Sequence, residues 1–284
     1  LRASGKRRGG PFGAPFVLLE IAERFTAMAS RTTIDHKLKS LTELLAVQDE
    51  QVLKEFQERV DMSWIFHDSS LEGTVLSYHE LKSAIDKDVV SDVSLIPTYD
   101  EIRAHKAAID FVRETAAARK KAPVTLEFIQ QLHQMLSLEE GGAEPREPVY
   151  RKDTPVHRLY FHEIAPPDKI ALEMRKLGEW LADPETKKTT NSLRLASKLH
   201  YKLMHIFPYS KHSGKLARLS MNFVLLRAGY LPSVVHSTER QRYYEALKGP
   251  SVLLHNLMLD SLENSIDSAI KLFSEQRSGR RALV

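Results

Sequence analysis

The sequence predicts a mainly α-helical protein, a multi-helix domain carrying one small β-hairpin flap, and three observations predict it. Apolar residues recur at three- and four-residue intervals over most of the chain, the spacing that lines them along one helix face. Proline, glycine and Asn-Ser pairs punctuate those runs at helix-length intervals. One stretch breaks the rhythm: 141–167 holds five prolines and two glycines around two short β-prone pieces.

In chain order, residues 1 to about 14 are rich in Gly, Arg and Pro and too poor in apolar groups to pack, so 1–30 are expected to be a poorly ordered leader. From Thr33 onward Leu38, Leu41 and Leu45, then Leu53, Phe56 and Val60, keep helical spacing, which predicts long helices up to about Gly73. Further helices are expected over Tyr78 to Ile85, Tyr99 to Thr115 and Thr125 to Leu136, the last opened by a Pro-Val-Thr cap signal. Val149 to Arg151 and Val156 to Phe161 flank Lys152-Asp153-Thr154-Pro155 and predict an exposed hairpin. Helices resume at about 168–182, 191–206, 213–228, 238–248 and 251–275. Residues 31–95 thus read as an N-terminal helical region and 96–284 as the main domain, with no internal repeat.

Composition narrows the function classes. The 284 residues can bury a core without covalent staples, and the absence of cysteine removes disulfides, thiolate metal sites and cysteine nucleophiles. No run of about 18 apolar residues occurs, and the best signal-like segment, Pro15 to Ile21, is interrupted by Glu20 and followed by Glu23 and Arg24. The expectation is a cytoplasmic protein with no membrane partner. A net charge of +4 from 41 basic and 37 acidic residues is mild, and the basic clusters lie only at the ends, Lys6 to Arg8 and Arg277 to Arg281. A nucleic-acid binder would show a basic stripe with stacking aromatics, so nucleic acid is not the expected partner.

The segment that carries chemistry begins at His205. Residues 216–228 are apolar nearly all round, which marks a helix buried at the centre of a domain, yet Arg218 lies inside it. A guanidinium cannot lose its proton, so it requires an anionic partner, either a carboxylate of this chain or a ligand phosphate. Just upstream, His212-Ser213-Gly214-Lys215 opens the helix with free backbone N–H groups, a small residue and a cation at the positive end of the dipole, an anion site. His205 closes the preceding helix, whose apolar face is Leu195, Leu199, Leu203 and Ile206, and a histidine there can take a proton near pH 7. A Walker-type loop does not fit, because Leu216 follows Ser-Gly-Lys and no glycine stands five residues before Gly214. His200 and His205, five apart on a helix, do not converge on a metal.

On these residues the sequence resembles the Fic (Fic/Doc) family. His205-Ile-Phe207, the loop after it, Gly214-Lys215-Leu-Ala-Arg218-Leu, Met221-Asn222 and Leu226-Arg227-Ala-Gly229-Tyr230-Leu-Pro232 are similar to the family's H-P-F-x-(D/E)-G-N-G-R-x-x-R core, its L-x-M-N and its L-x-R-x-G-Y-P-P tail. Ser-Ser-Leu-Glu72-Gly73 looks like the family's inhibitory S/T-x-x-x-E-G/N helix. The resemblance implies a Fic-type fold and transfer of AMP from ATP, or of another nucleotide's monophosphate, to a Ser, Thr or Tyr hydroxyl of a protein partner. It implies His205 as base, Lys211, His212, Ser213, Gly214, Lys215 and Arg218 at the phosphates, and Glu72 paired with Arg218 as an internal inhibitor. Val149, Tyr150, Arg151, Tyr160, Phe161 and His162 would belong to a target-docking flap, and Tyr243 and Tyr244 would edge the adenine pocket, although adjacent aromatics in a helix are more commonly core.

The chain departs from the family where phosphate is held. Its loop is two residues longer, the acidic residue that binds Mg²⁺ is absent with Lys211 nearest its place, and Ser213 and Lys215 replace an Asn and an Arg. Ile206 stands where the family has Pro, and Asp68 where it has Ser or Thr. Metal-free phosphate binding, a different phosphate donor, and an inactive or repurposed module that binds a nucleotide or a protein all stay open at this level, as does a homo-oligomer.

Overall fold

The computed structural model describes residues 32–86, 93–118, 123–137, 149–155 and 162–277, with the backbone alone for 93, 187–189, 276 and 277. The expected leader and the second piece of the expected hairpin, 156–161, lie outside them. The helices are α1 (32–45), α2 (Glu50–Leu71), α3 (Tyr78–Ile85), α4 (Ile96–Ala118), α5 (Leu126–Leu136), α6 (Ile170–Ala182), α7 (Pro184–Thr189), α8 (Ser192–Ile206), α9 (Ser213–Arg227), α10 (Arg240–Lys248) and α11 (Ser251–Arg277).

Most helix starts are written locally. Asp49 accepts from the Val52 amide at 2.9 Å, Asn191 from Arg194 at 2.9 Å and Thr125 from Phe128 at 3.3 Å. Ser77 and Glu80 form a reciprocal capping box. Asp49 opens α2 and separates the long helices expected up to about Gly73 into α1 and α2. The short helix α7 was not expected; Asp183 caps it and Pro184 fills its first position.

Helix α9 is the axle. Its residues from Ser213 to Leu225 are all buried, and it packs against α8, α4 and α5, while α10 and α11 complete the far side of α8. Burial on every side removes the usual polar stripe, which is why its residues are apolar all round. Helix α3 lies on α4, and α2 crosses α4 and reaches the 3₁₀ turn Ser237–Glu239 ahead of α10. Asp61, 1% exposed, pairs with Arg113 and stands 3.4 Å from Lys106, riveting α2 to α4. At the other end of α2, the Leu71 carbonyl accepts from the Tyr244 hydroxyl and from Arg240 Nε, each at 3.0 Å. These bonds satisfy an acceptor that a helix C-terminus leaves open.

Among the described residues there is no strand, and Val149 to Arg151, expected as the first arm of a hairpin, runs without strand pairing. The Arg151 amide donates instead to the Pro208 carbonyl at 3.0 Å, and Ala165 to the His205 carbonyl at 2.7 Å. No helix of the described residues is long and apolar enough to cross a membrane.

Candidate functional site

His205 sits in the last turn of α8, half-buried, with its ring stacked on Tyr201 at 4.0 Å. Its Nδ1 lies 2.9 Å from the Tyr201 carbonyl, an atom that can only accept, so Nδ1 carries a proton, and in the neutral ring the lone pair is on Nε2. Phe207 ends the helix in the left-handed region at φ 47°, which turns the chain sharply into the loop. That turn exposes the last carbonyls of α8, and Arg151, 3% exposed, takes them up. Its Nε donates to Phe207 O at 2.7 Å, and the guanidinium reaches Ile206 O at 3.4 Å, Asp153 O at 3.0 Å and Ala165 O. His162 Nε2 donates to Met204 O at 2.9 Å. Of the residues expected on the flap, then, Arg151 and His162 point inward and hold the helix that bears His205. Val149 is 71% exposed, Tyr150 stands 5.7 Å from the Tyr209 ring, and Tyr160 and Phe161 lie outside the described residues.

The loop closes on itself. The Tyr209 amide donates to Ser213 Oγ at 2.9 Å and that hydroxyl donates back to Tyr209 O at 2.8 Å, so the Ser213 side chain is spent on the loop. His133 stacks on Tyr209 at 3.5 Å, and Lys211 is exposed. His212 adopts the left-handed conformation at φ 62° and gives α9 no side-chain cap. Burial, with Lys215 nearby, pushes the His212 imidazole down to about 4 against the pull of Glu101 and Glu72, so it is uncharged at neutral pH. What it could offer an anion is a hydrogen bond.

The open end of α9 is met by a carboxylate. Glu72, the residue that ends α2, brings Oε1 to 2.9 Å from Arg218 NH2 and lies over Gly214, where a Cβ would come within 2.2 Å of that oxygen. Only glycine permits this approach. Arg218 is 1% exposed and holds a second carboxylate, Asp68 Oδ1, at 2.7 Å from Nε. Burial raises the pKa of both carboxyls, but the Arg218 charge overcomes it and both stay below the ordinary carboxylate range. Lys215, 2% exposed, pairs with Glu101 of α4. From α4, His105 places Nε2 3.5 Å from Asp68 Oδ2, and its burial lowers its pKa against the pull of that carboxylate.

Tyr243 and Tyr244 are core residues. The Tyr243 hydroxyl lies 2.8 Å from His200 Nε2 and 3.5 Å from Arg218 NH1, and Tyr244 grips the end of α2 as described. Sequence reading did not assign Glu101, His105 or Asp68 to the site. Glu101 and His105 stand one helical turn apart on one face of α4, a pattern with no local sign of its destination, whereas Asp68, one turn before Glu72, was visible as a departure from the family pattern.

Residues 123–225, which contain α5, α8 and nearly all of α9, match the sequence model of the Fic/DOC family. This stretch is similar to a Fic domain. Among similar proteins, "Protein adenylyltransferase Fic" of Drosophila grimshawi is 28% identical over 228 residues, 78% of this chain and 46% of that protein. The protein of the same name from Culex quinquefasciatus is 27% identical over 215 residues, 76% and 41% of the two chains. The chain therefore spans under half the length of these curated relatives. Among solved structures, a Fic-domain signaling protein from Bacteroides thetaiotaomicron superposes with a TM-score of 0.71 at 24% identity, covering 86% of this chain and 97% of that one. Fic-1 from C. elegans superposes with a TM-score of 0.73 at 20% identity, covering 94% and 79%. These likenesses establish the Fic fold.

Proposed function

We propose that the protein is a nucleotidyltransferase that moves AMP from ATP to a hydroxyl of another protein and that Glu72 holds it inhibited. The observation that carries the reading is the place of the Glu72 carboxylate: against Gly214 at the uncapped start of α9 and on Arg218, where an anionic ligand would be held. A chain that uses its own carboxylate to fill an anion cradle blocks the cradle until that carboxylate withdraws. The names of the relatives support the transferase class.

The residues fit the chemistry in outline. The bare Nε2 of His205 accepts the proton of the target hydroxyl as its oxygen attacks the α-phosphorus, and the bond from that phosphorus to pyrophosphate breaks. The start of α9 and Lys211 face the phosphates, and the segment from Val149 toward His162 would align the target chain by main-chain pairing. The loop from Phe207 to Ser213 contains no carboxylate, so its donor set does not suit a resident Mg²⁺.

A second reading has an observation of its own. Ser213 and Lys215, at two of the phosphate positions, are bonded to Tyr209 and Glu101 of this chain, as a binding module without catalysis would tolerate. Incubation with α-labelled ATP, with and without Mg²⁺, separates the two. Label on the protein or on lysate proteins is expected to be faint for wild type, to rise at least about tenfold, a 1.4 kcal/mol effect, for Glu72→Gly, and to vanish when His205→Ala is added. No transfer from any variant would leave the binding module.

A further inference from the structure

Arg218 has five N–H donors, and the fold has distributed them unequally. Nε donates to Asp68 Oδ1 at 2.7 Å, NH2 to Asp68 O at 3.3 Å and to Glu72 Oε1 at 2.9 Å, and NH1 faces the Tyr243 hydroxyl at 3.5 Å. The two carboxylates are not equivalent. Glu72 ends the helix with its side chain 22% exposed, and a side-chain rotation can release it. Asp68 lies one turn back with its side chain 1% exposed, in a helix fixed at Asp61 on one side and at Leu71 on the other. Asp68 cannot leave without α2 leaving.

The other buried cation at the start of α9 is already balanced, since Lys215 pairs with Glu101. His212 and His105 add no charge at neutral pH, because burial depresses both. When Glu72 swings out, therefore, the buried groups around the cradle are left as two neutralised pairs. A γ-phosphate adds about one net negative charge over a diphosphate, at a place where both buried cations, Arg218 and Lys215, are already paired with carboxylates of this chain.

We propose that Asp68 is a specificity-determining positioning residue: by keeping Arg218 neutralised after Glu72 withdraws, it removes the site's preference for a terminal phosphate, so that nucleoside diphosphates bind on equal terms with triphosphates. This rests on the nucleotide reading above and deepens it. The donor class becomes a nucleotide held through its base, sugar and inner phosphates, whatever its terminus.

The test is titration calorimetry of the full chain carrying Glu72→Gly, with ADP and with ATP, without metal. The two Kd values are expected to agree within about threefold. Adding Asp68→Asn, which keeps an acceptor for Arg218 Nε and removes the charge, is expected to tighten ATP about tenfold or more while ADP changes little, with thermal unfolding as the check on folding. ATP binding to Glu72→Gly about tenfold tighter than ADP would overturn the proposal without any Asp68 variant. Equal shifts of both nucleotides in Asp68→Asn would reduce Asp68 to a structural residue and overturn it too. Binding of neither nucleotide to any variant would remove the nucleotide reading itself, and this inference with it.

Discussion

Gly214 is the residue on which the Glu72 carboxylate and the start of α9 meet. Replacing it by alanine puts a Cβ 2.2 Å from Glu72 Oε1, so the carboxylate must shift and its pairing with Arg218 must loosen. In a double-mutant cycle with Glu72→Gly, the stability lost through Gly214→Ala is expected to be recovered, with a coupling energy of about 1 kcal/mol or more by urea unfolding. Additive losses would place Glu72 elsewhere in solution. Gly214, Arg218 and His205 were legible in the sequence because each is conspicuous in its own segment: a cation in an apolar helix, a small residue at a helix start, a histidine at a helix end. Glu101 and His105 were not, since they arrive from a helix about a hundred residues earlier. Their role exists only once α4 packs on α9. Arg151 was placed on a docking flap by the family resemblance and its β-prone segment; the carbonyls that draw it inward belong to another element.

At the scale of the helix, α2 is bound to its neighbours by charges as well as apolar packing. Asp61→Ala removes a buried carboxylate shared by Arg113 and Lys106. The loss of stability is expected near about 3 kcal/mol, the low end for a broken buried pair, because both cations keep Asp110 and about a quarter of their exposure. The guanidinium unfolding midpoint measures it, and a change under about 1 kcal/mol would mean that α2 is held by apolar contacts alone. Helices such as α3 and α5 were readable from spacing and caps together. Apolar spacing marks no exact place for the break at 46–49, and α7 was hidden because six residues carry too little periodicity to detect.

Across the whole molecule, histidine burial fixes the response to acid. Burial pushes His67, His133, His212 and His255 down to about 4 and His200 to about 3, against an ordinary value near 6.5. The unfolded chain therefore binds more protons than the folded one between those values, and stability falls as pH falls from about 6.5 toward 4. Each such histidine contributes a slope of at most about 1.4 kcal/mol per pH unit. Asp68 and Glu72, held below the ordinary carboxylate range, add stability that is present above their unfolded values and is lost only on further acidification. Unfolding midpoints in denaturant are expected to drop steeply from pH 7 to pH 5 and to be nearly flat from pH 7 to pH 8. A flat profile down to pH 5 would mean that these imidazoles are solvated in solution.

Arg151 joins two things that a chemist would treat separately. Its amide and guanidinium clasp the carbonyls at 206, 207 and 208, immediately after the histidine, while its own backbone continues into the exposed segment at Lys152 and Asp153. On the proposed transferase reading, pressure from a target chain docked on that segment would pass through Arg151 to the end of the helix that bears His205. Recognition and alignment of the base would then be a single mechanical event, with the guanidinium as its fulcrum.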